Sequence, residues 1–189
     1  MVVVGLGNPG AAYERTRHNV GAETVAVLAA RAGARLRAER GTLAEVAEVP
    51  MAGRRVVLAR PQTYMNDSGQ AVRALLRRYG IDDVARLVVV HDDLDLPPGR
   101  VKVKAGGGTA GHNGLASVHA HLHHDGYGRV RIGIGKPPGR QAGADYVLRR
   151  PGAAEREVLD VAVEVAADAV EAIVAEGIEA AMNRFNAGS

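Results

Sequence analysis

The sequence predicts an α/β fold: a single domain in which a mixed, twisted β-sheet lies between helices. Short apolar runs at Met1–Gly5, Leu87–Val90 and Arg129–Ile134 have the length and composition of buried strands. Segments with apolar residues at helical spacing alternate with them, as a sheet covered by helices requires. Several of the strand-like runs end in glycine, asparagine or aspartate, the residues of tight loops. With 189 residues, 47% of them hydrophobic, the chain can bury one sizeable core. No repeat, low-complexity tract or linker divides it, so residues 1–189 read as one domain.

Element by element, Met1–Gly5 is a central strand leading into a glycine-rich loop. Residues 22–32, with Val25, Leu28 and Ala29 on one face, form a helix stopped by Gly33. Thr42–Val49 and Arg54–Arg60 read as a hairpin joined by Pro50–Gly53. Asn66, Asp67 and Ser68 all suit an N-cap, and Val72, Leu75, Leu76 and Tyr79 line the helix that follows to Gly80. Leu87–Val90 is a buried strand, whereas Val101 and Val103 alternate with Lys102 and Lys104 as in a half-exposed one. A helix starts near Gly111–Asn113, the strand Arg129–Ile134 follows, and Gly135–Ala144 reads as a mobile loop. From Ala153, the positions Val158, Val161, Val165, Ala169 and Ile173 predict a long amphipathic helix, broken by Gly177 before a short final turn.

Composition removes several functions. There is no cysteine, so disulfides, thiolate nucleophiles and thiolate zinc sites are excluded. The apolar start is too short for a membrane span and lacks the basic segment of a signal peptide, so a cytoplasmic protein is expected. The net charge of +3 is unevenly placed: residues 1–152 carry 22 basic against 13 acidic side chains, and residues 153–189 carry 2 against 8. A body this basic would attract a polyanion, although its many arginines equally fit a compositional bias.

Gly5-Leu6-Gly7-Asn8-Pro9-Gly10 satisfies the dinucleotide-binding pattern G-x-G-x-x-G. Pro9 and the polar run Tyr13–Asn19 delay the helix, however, and no acidic residue stands between Glu23 and Glu39 to hold a ribose, so a reductase is the weaker reading. The loop instead places the Asn8 amide at the carboxyl end of a strand, where open α/β sheets build their sites. His18 follows in Thr16-Arg17-His18-Asn19-Val20-Gly21. In His91-Asp92-Asp93-Leu94-Asp95, the carboxylates of Asp92 and Asp93 point to opposite faces of an extended chain, which argues against a shared metal; Asp93 and Asp95 fit turn roles. Asp92 is the candidate to accept a hydrogen bond from one nitrogen of His18, freeing the other to take a proton from water. Gly106–Gly114 exposes backbone N–H groups at a helix start and lacks the lysine and hydroxyl of a Walker loop. Lys104 and Arg131 are placed to share an exposed face and hold a phosphate. Ser68 and Thr109 are the hydroxyl candidates for a nucleophile, but neither lies in a nucleophile elbow. His119, His121, His123 and His124 read as a solvated helix end rather than a metal site.

Taken together, the strings VGLGNPG, TRHNVG, MNDSG, HDDLDLPPG, GGGTAGHNG and RVRIGIGKP resemble the signature blocks of bacterial peptidyl-tRNA hydrolases, in order from Val3 to about Pro137. The resemblance implies a monomeric, phosphorylase/hydrolase-like enzyme, needing no metal or cofactor, that cleaves the ester of peptidyl-tRNA to free tRNA and peptide. It makes His18 the general base, Asp92 its support, and Asn8 the group that distinguishes a blocked from a free amino group. It gives Tyr13, Tyr64, Asn66 and Asn113 contacts to the tRNA 3′ end and peptide, and Lys104 with Arg131 a tRNA phosphate. A non-catalytic RNA-binding relative would have no need of the base, so the retention of His18, Asp92 and the three asparagines favours the enzyme.

Overall fold

The computed structural model describes residues 1–188. Seven strands, β1 (Val2–Gly5), β2 (Arg37–Glu39), β3 (Ala44–Met51), β4 (Arg54–Pro61), β5 (Leu87–Asp93), β6 (Val101–Ala105) and β7 (Gly128–Gly133), form one sheet in the order β2-β3-β4-β1-β5-β7-β6. The central strands β4, β1, β5 and β7 are parallel, and antiparallel partners close both edges. Six helices cover it: α1 (Val20–Arg31), α2 (Ser68–Arg78), α3 (Asn113–Leu122), α4 (Gly143–Val147), α5 (Ala153–Glu176) and α6 (Ile178–Phe185).

Alternation along the strands divides the core in two. Val3, Leu58, Val88, Val90, Val130 and Ile132 face α1 and α5, while Val2, Val4, Val57, Leu87 and Val89 face α2 and α3. The expected mixed sheet between helices is therefore present.

Five details differ from expectation. The hairpin turns at Ala52 and Gly53, both with positive φ, so the strand pairing continues through Pro50 and Met51, two residues further than a Pro50–Gly53 loop allows. The short, polar β2 pairs with β3 although its sequence carries no apolar alternation. The expected loop runs at its end into a helix, Gly143–Val147, and the final turn is the two-turn helix α6. On α5 the expected Ala169 and Ile173 are buried, but the N-terminal half of the buried stripe is rotated away from Val158 and Val161. Val158 and Val161 are 43% and 64% exposed, while Leu159, Ala162, Ala166, Ala167 and Val170 are buried. The alanines on that face let α5 lie close to the sheet and α1, with Leu159, Val163 and Val170 filling the space between them.

The positions of β1, β5 and α1 create the site. Built onto Gly5, a Cβ would lie 2.1 Å from the Gly21 carbonyl oxygen, and one built onto Gly21 would lie 2.2 Å from that of Val90. Only paired glycines let the first turn of α1 rest directly on the ends of two strands. The chain just before α1 is thereby brought over the carboxyl end of β5.

Candidate active site

His18 sits in a 3-10 turn, Arg17–Asn19, that feeds α1. Asp92 is the sixth residue of β5 and shares the face of Val88 and Val90, the one α1 covers. The two meet although 74 positions apart: His18 Nδ1 lies 2.9 Å from each oxygen of Asp92. A carboxylate only accepts, so Nδ1 carries the proton and Nε2 keeps its lone pair. Both residues are buried. Burial works against the charged imidazole, but the charge and hydrogen bond of Asp92 outweigh it and hold His18 above its ordinary pKa. Burial likewise penalises the Asp92 carboxylate, yet two imidazoles keep it well below the usual carboxylate range.

The second imidazole belongs to His112, which sequence reasoning passed over. It caps α3: its Nδ1 accepts from the N–H groups of Gly114 and Leu115, at 3.1 and 3.3 Å. That fixes the proton on Nε2, which donates to Asp92 Oδ1 at 2.8 Å. Asp92 therefore holds two rings whose centroids are 4.9 Å apart. The sequence places the helix start near Gly111–Asn113 without indicating which residue caps it; His112 is the N-cap and Asn113 the first helical residue. Among the described residues, His18, Asp92 and His112 are also the group whose donor atoms are close enough, within 4.8 Å, to hold a metal ion. Each ring nitrogen facing Asp92 already has a role as a donor to it. His91, on the opposite face of β5, is buried and donates to the Asp92 carbonyl at 2.8 Å. Burial and the neighbouring His112 push its pKa down to about 4, so it stays neutral.

Asn8 is oriented from two sides. Its Oδ1 accepts from the Met65 N–H at 2.7 Å, which leaves its amide hydrogens free. Asn19, another residue missed from the sequence, exchanges two hydrogen bonds of 2.9 Å with the Asn8 backbone and so ties the first loop to the His18 turn. Asn8, Tyr13, His18, Tyr64, Asn66 and Asn113 line one cleft of about 260 Å3, where the Tyr13 and Tyr64 rings meet edge to face at 6.1 Å. A second cavity of about 200 Å3, bordered by His91, Asp92, His112 and Thr109, meets the first at His18 and Asn113.

Lys104 and Arg131 stand outside both cavities. They share the α3 face of the sheet, where Lys104 pairs with Arg129 and Lys102 with Arg131. Arg131 is not free as expected: its Nε donates to Asp93 at 2.8 Å, while Asp93 also accepts from the Asp95 N–H in a turn. Arg129 is buried and donates to the carbonyls of Gly107, Gly108 and Asp125, so it anchors the glycine loop. His119 Nε2 accepts from the same guanidinium at 3.0 Å, and His124 accepts from the Gly126 N–H. The histidine-rich helix end therefore has structural tasks beyond simple solvation. Ser68 donates to the Met65 carbonyl and is buried in the start of α2, with no base beside it among the described residues.

Residues 2–189 match the family described as peptidyl-tRNA hydrolase. A peptidyl-tRNA hydrolase of Rhodococcus erythropolis is 49% identical over 185 residues, covering 98% of this chain and 97% of its own. One from Frankia alni is 52% identical over 186 residues, covering 98% and 93%. The crystal structure of the enzyme from Acinetobacter baumannii superimposes with a TM-score of 0.92 at 36% identity, covering 98% of this chain and 94% of that one. By sequence along almost its whole length and by fold, this chain belongs to the peptidyl-tRNA hydrolase family.

Proposed function

We propose that this protein hydrolyses the ester of peptidyl-tRNA, with water activated by His18, and so returns tRNA to translation. The observation that carries the reading is the Asp92-oriented imidazole of His18 at the junction of two cavities, one of them rimmed by side-chain amides. With Nδ1 held by Asp92, Nε2 takes a proton from water as its oxygen adds to the ester carbonyl. Asn113, which borders both cavities beside His18, donates to the oxyanion that forms. Collapse of the tetrahedral intermediate breaks the bond to the ribose oxygen, which recovers the proton from His18. An ester needs no covalent nucleophile for this, because its alkoxide leaves far more readily than an amide nitrogen.

Asn8 supplies the selectivity. Its carbonyl is occupied by Met65, so it presents a donor. An N-acyl carbonyl accepts from that donor, whereas a free ammonium group has nothing to offer it and is repelled. Tyr13, Tyr64 and Asn66 contact the peptide and the 3′ nucleotides. Lys104, which is exposed, and the Nη groups of Arg131 meet a backbone phosphate. The enzyme acts as a monomer, since all these groups come from one chain, and in the cytoplasm, where its substrate is made.

The test is incubation with N-acetyl-aminoacyl-tRNA and with unblocked aminoacyl-tRNA. Selective cleavage of the blocked ester, lost in His18→Ala, is expected. Binding of tRNA without turnover by the unaltered protein would instead make it an RNA-binding relative.

A further inference from the structure

The residue before His18 has no part in that chemistry, yet it is buried and fully engaged. Arg17 donates through Nε and Nη2 to the two carboxylate oxygens of Glu155, at 2.8 Å each. Its Nη1 donates to the Tyr146 carbonyl at 3.0 Å, and its Cζ lies 3.9 Å from the centroid of the Tyr146 ring. The Arg17 backbone N–H donates to the Arg149 carbonyl at 3.3 Å. These contacts reach α4, the chain just after it, and the first turn of α5. Helix α4 is five residues long, and the segment before it contains Gly135, Pro137, Pro138 and Gly139, so chain geometry alone does not fix where it sits. Yet Ala144 and Val147 line both cavities at His18, and Leu148 lines the cleft of the asparagines.

We propose that Arg17 and Glu155 are a positioning pair for this reaction, setting the α4 wall of the cleft at a fixed distance from the imidazole without touching substrate. The inference rests on the reading of His18 as the base. A bidentate, partly desolvated fork fixes both distance and plane, which a single ammonium contact does not. Because Arg17 adjoins His18 in the chain, and both its guanidinium and Glu155 also contact Tyr146 of α4, the fork holds wall and base together. Tyr146 completes it, its hydroxyl donating to the Ile134 carbonyl at 2.7 Å beyond the end of β7.

The test uses Glu155→Gln, which keeps shape and removes charge, with Glu155→Asp as the charge-retaining variant. On N-acetyl-aminoacyl-tRNA, Glu155→Gln is expected to raise KM about tenfold with kcat changed less than about threefold, since loss of preorganisation weakens binding first. The pH profile of kcat should not move, and Glu155→Asp should recover most of the KM. Amide hydrogen exchange over residues 143–149 should quicken about tenfold while residues 159–174 stay protected. Unchanged KM and exchange would overturn the proposal. So would faster exchange throughout α5, which marks general loosening. Should Glu155→Gln fail to fold, Arg17→Lys, which keeps the charge but loses the fork, is read by the same two measurements with the same expected changes. Turnover surviving in His18→Ala would remove the base reading, whereas the exchange result would stand or fall by itself.

Discussion

At the scale of single residues, the His18–Asp92 contact has consequences that differ in sign from those of burial alone. As the proposed base, His18 must be neutral to accept a proton, and Asp92 holds its pKa above the ordinary 6.5. As the pH falls through that raised value the base is lost, so the acidic limb of kcat/KM is expected above pH 6.5. Asp92→Asn removes the charge and leaves burial unopposed; the limb should then move below pH 6.5, while the plateau falls about 10²- to 10⁴-fold because the useful tautomer is no longer enforced. A limb that stays in place in Asp92→Asn would assign it to another group. Asn8→Ala makes a separate prediction: the ratio of blocked to unblocked ester cleavage, measured on matched substrates, should fall by about ten- to a hundredfold, the value of one buried donor–acceptor contact. The roles of His18 and Asp92 could be proposed from sequence because each stands in a polar string at an element boundary. The part played by His112 could not, because its two contacts are to backbone N–H groups of its own helix and to a carboxylate 20 positions away. Nothing in its neighbours Gly111 and Asn113 indicates which of them caps.

At the scale of elements, the site depends on how closely α1 approaches β1 and β5. Gly21→Ala places a methyl 2.2 Å from the Val90 carbonyl, backbone against backbone, where nothing can swing aside. It should cost about 2–4 kcal/mol in urea unfolding and lower activity as well, because any retreat of α1 carries His18 from Asp92. Gly152→Ala, with open space around its Cβ position, should stay within about 0.5 kcal/mol. Equal effects of the two would refute the close-approach argument. This approach also explains which elements were legible. β1 and the first four residues of β5 are continuous apolar runs buried on both faces, and such runs declare themselves. β2, with the sequence Arg37-Ala38-Glu39, is held by its pairing to β3 and by Tyr79 and Arg78 on Glu39, and α4 by the contacts of its Tyr146 with Arg17 and Ile134, so no local pattern reveals either. The face of α5 is legible at Ala169 and Ile173 but not at its start, where valines stand on both sides of the helix and Val163 rather than Val158 or Val161 is buried.

At the scale of the molecule, the charge asymmetry visible in the sequence becomes an asymmetry between the two faces of the sheet. Neither α2 nor α3 contains an acidic residue, whereas α5 carries Glu155, Glu157, Asp160, Glu164, Asp168, Glu171 and Glu176. On the α5 side these acids are largely consumed by arginines of the same face: Arg31 pairs with Glu164, Asp168 and Glu171, and Arg15 and Arg156 with Asp160. The α2–α3 side, with Lys102, Lys104 and Arg131 beside it, is left as the cationic one. A polyanion bound there releases counterions in proportion to the phosphates it surrenders, so the logarithm of KM for peptidyl-tRNA should rise linearly with the logarithm of salt concentration. Lys104→Ala should lower that slope by about 0.7–0.9, the share of one phosphate, and leave kcat nearly unchanged. Arg131→Ala should lower it by less than Lys104→Ala, since Asp93 already holds part of its charge, and the unpaired Asp93 carboxylate would add a second, repulsive loss of affinity. Glu157→Gln, on the opposite face, should leave the slope where it is. Were Lys104→Ala to leave the slope unaltered while Glu157→Gln changed it, the tRNA would have to approach over α5, and the cationic face would owe its charge to arginine-rich composition alone.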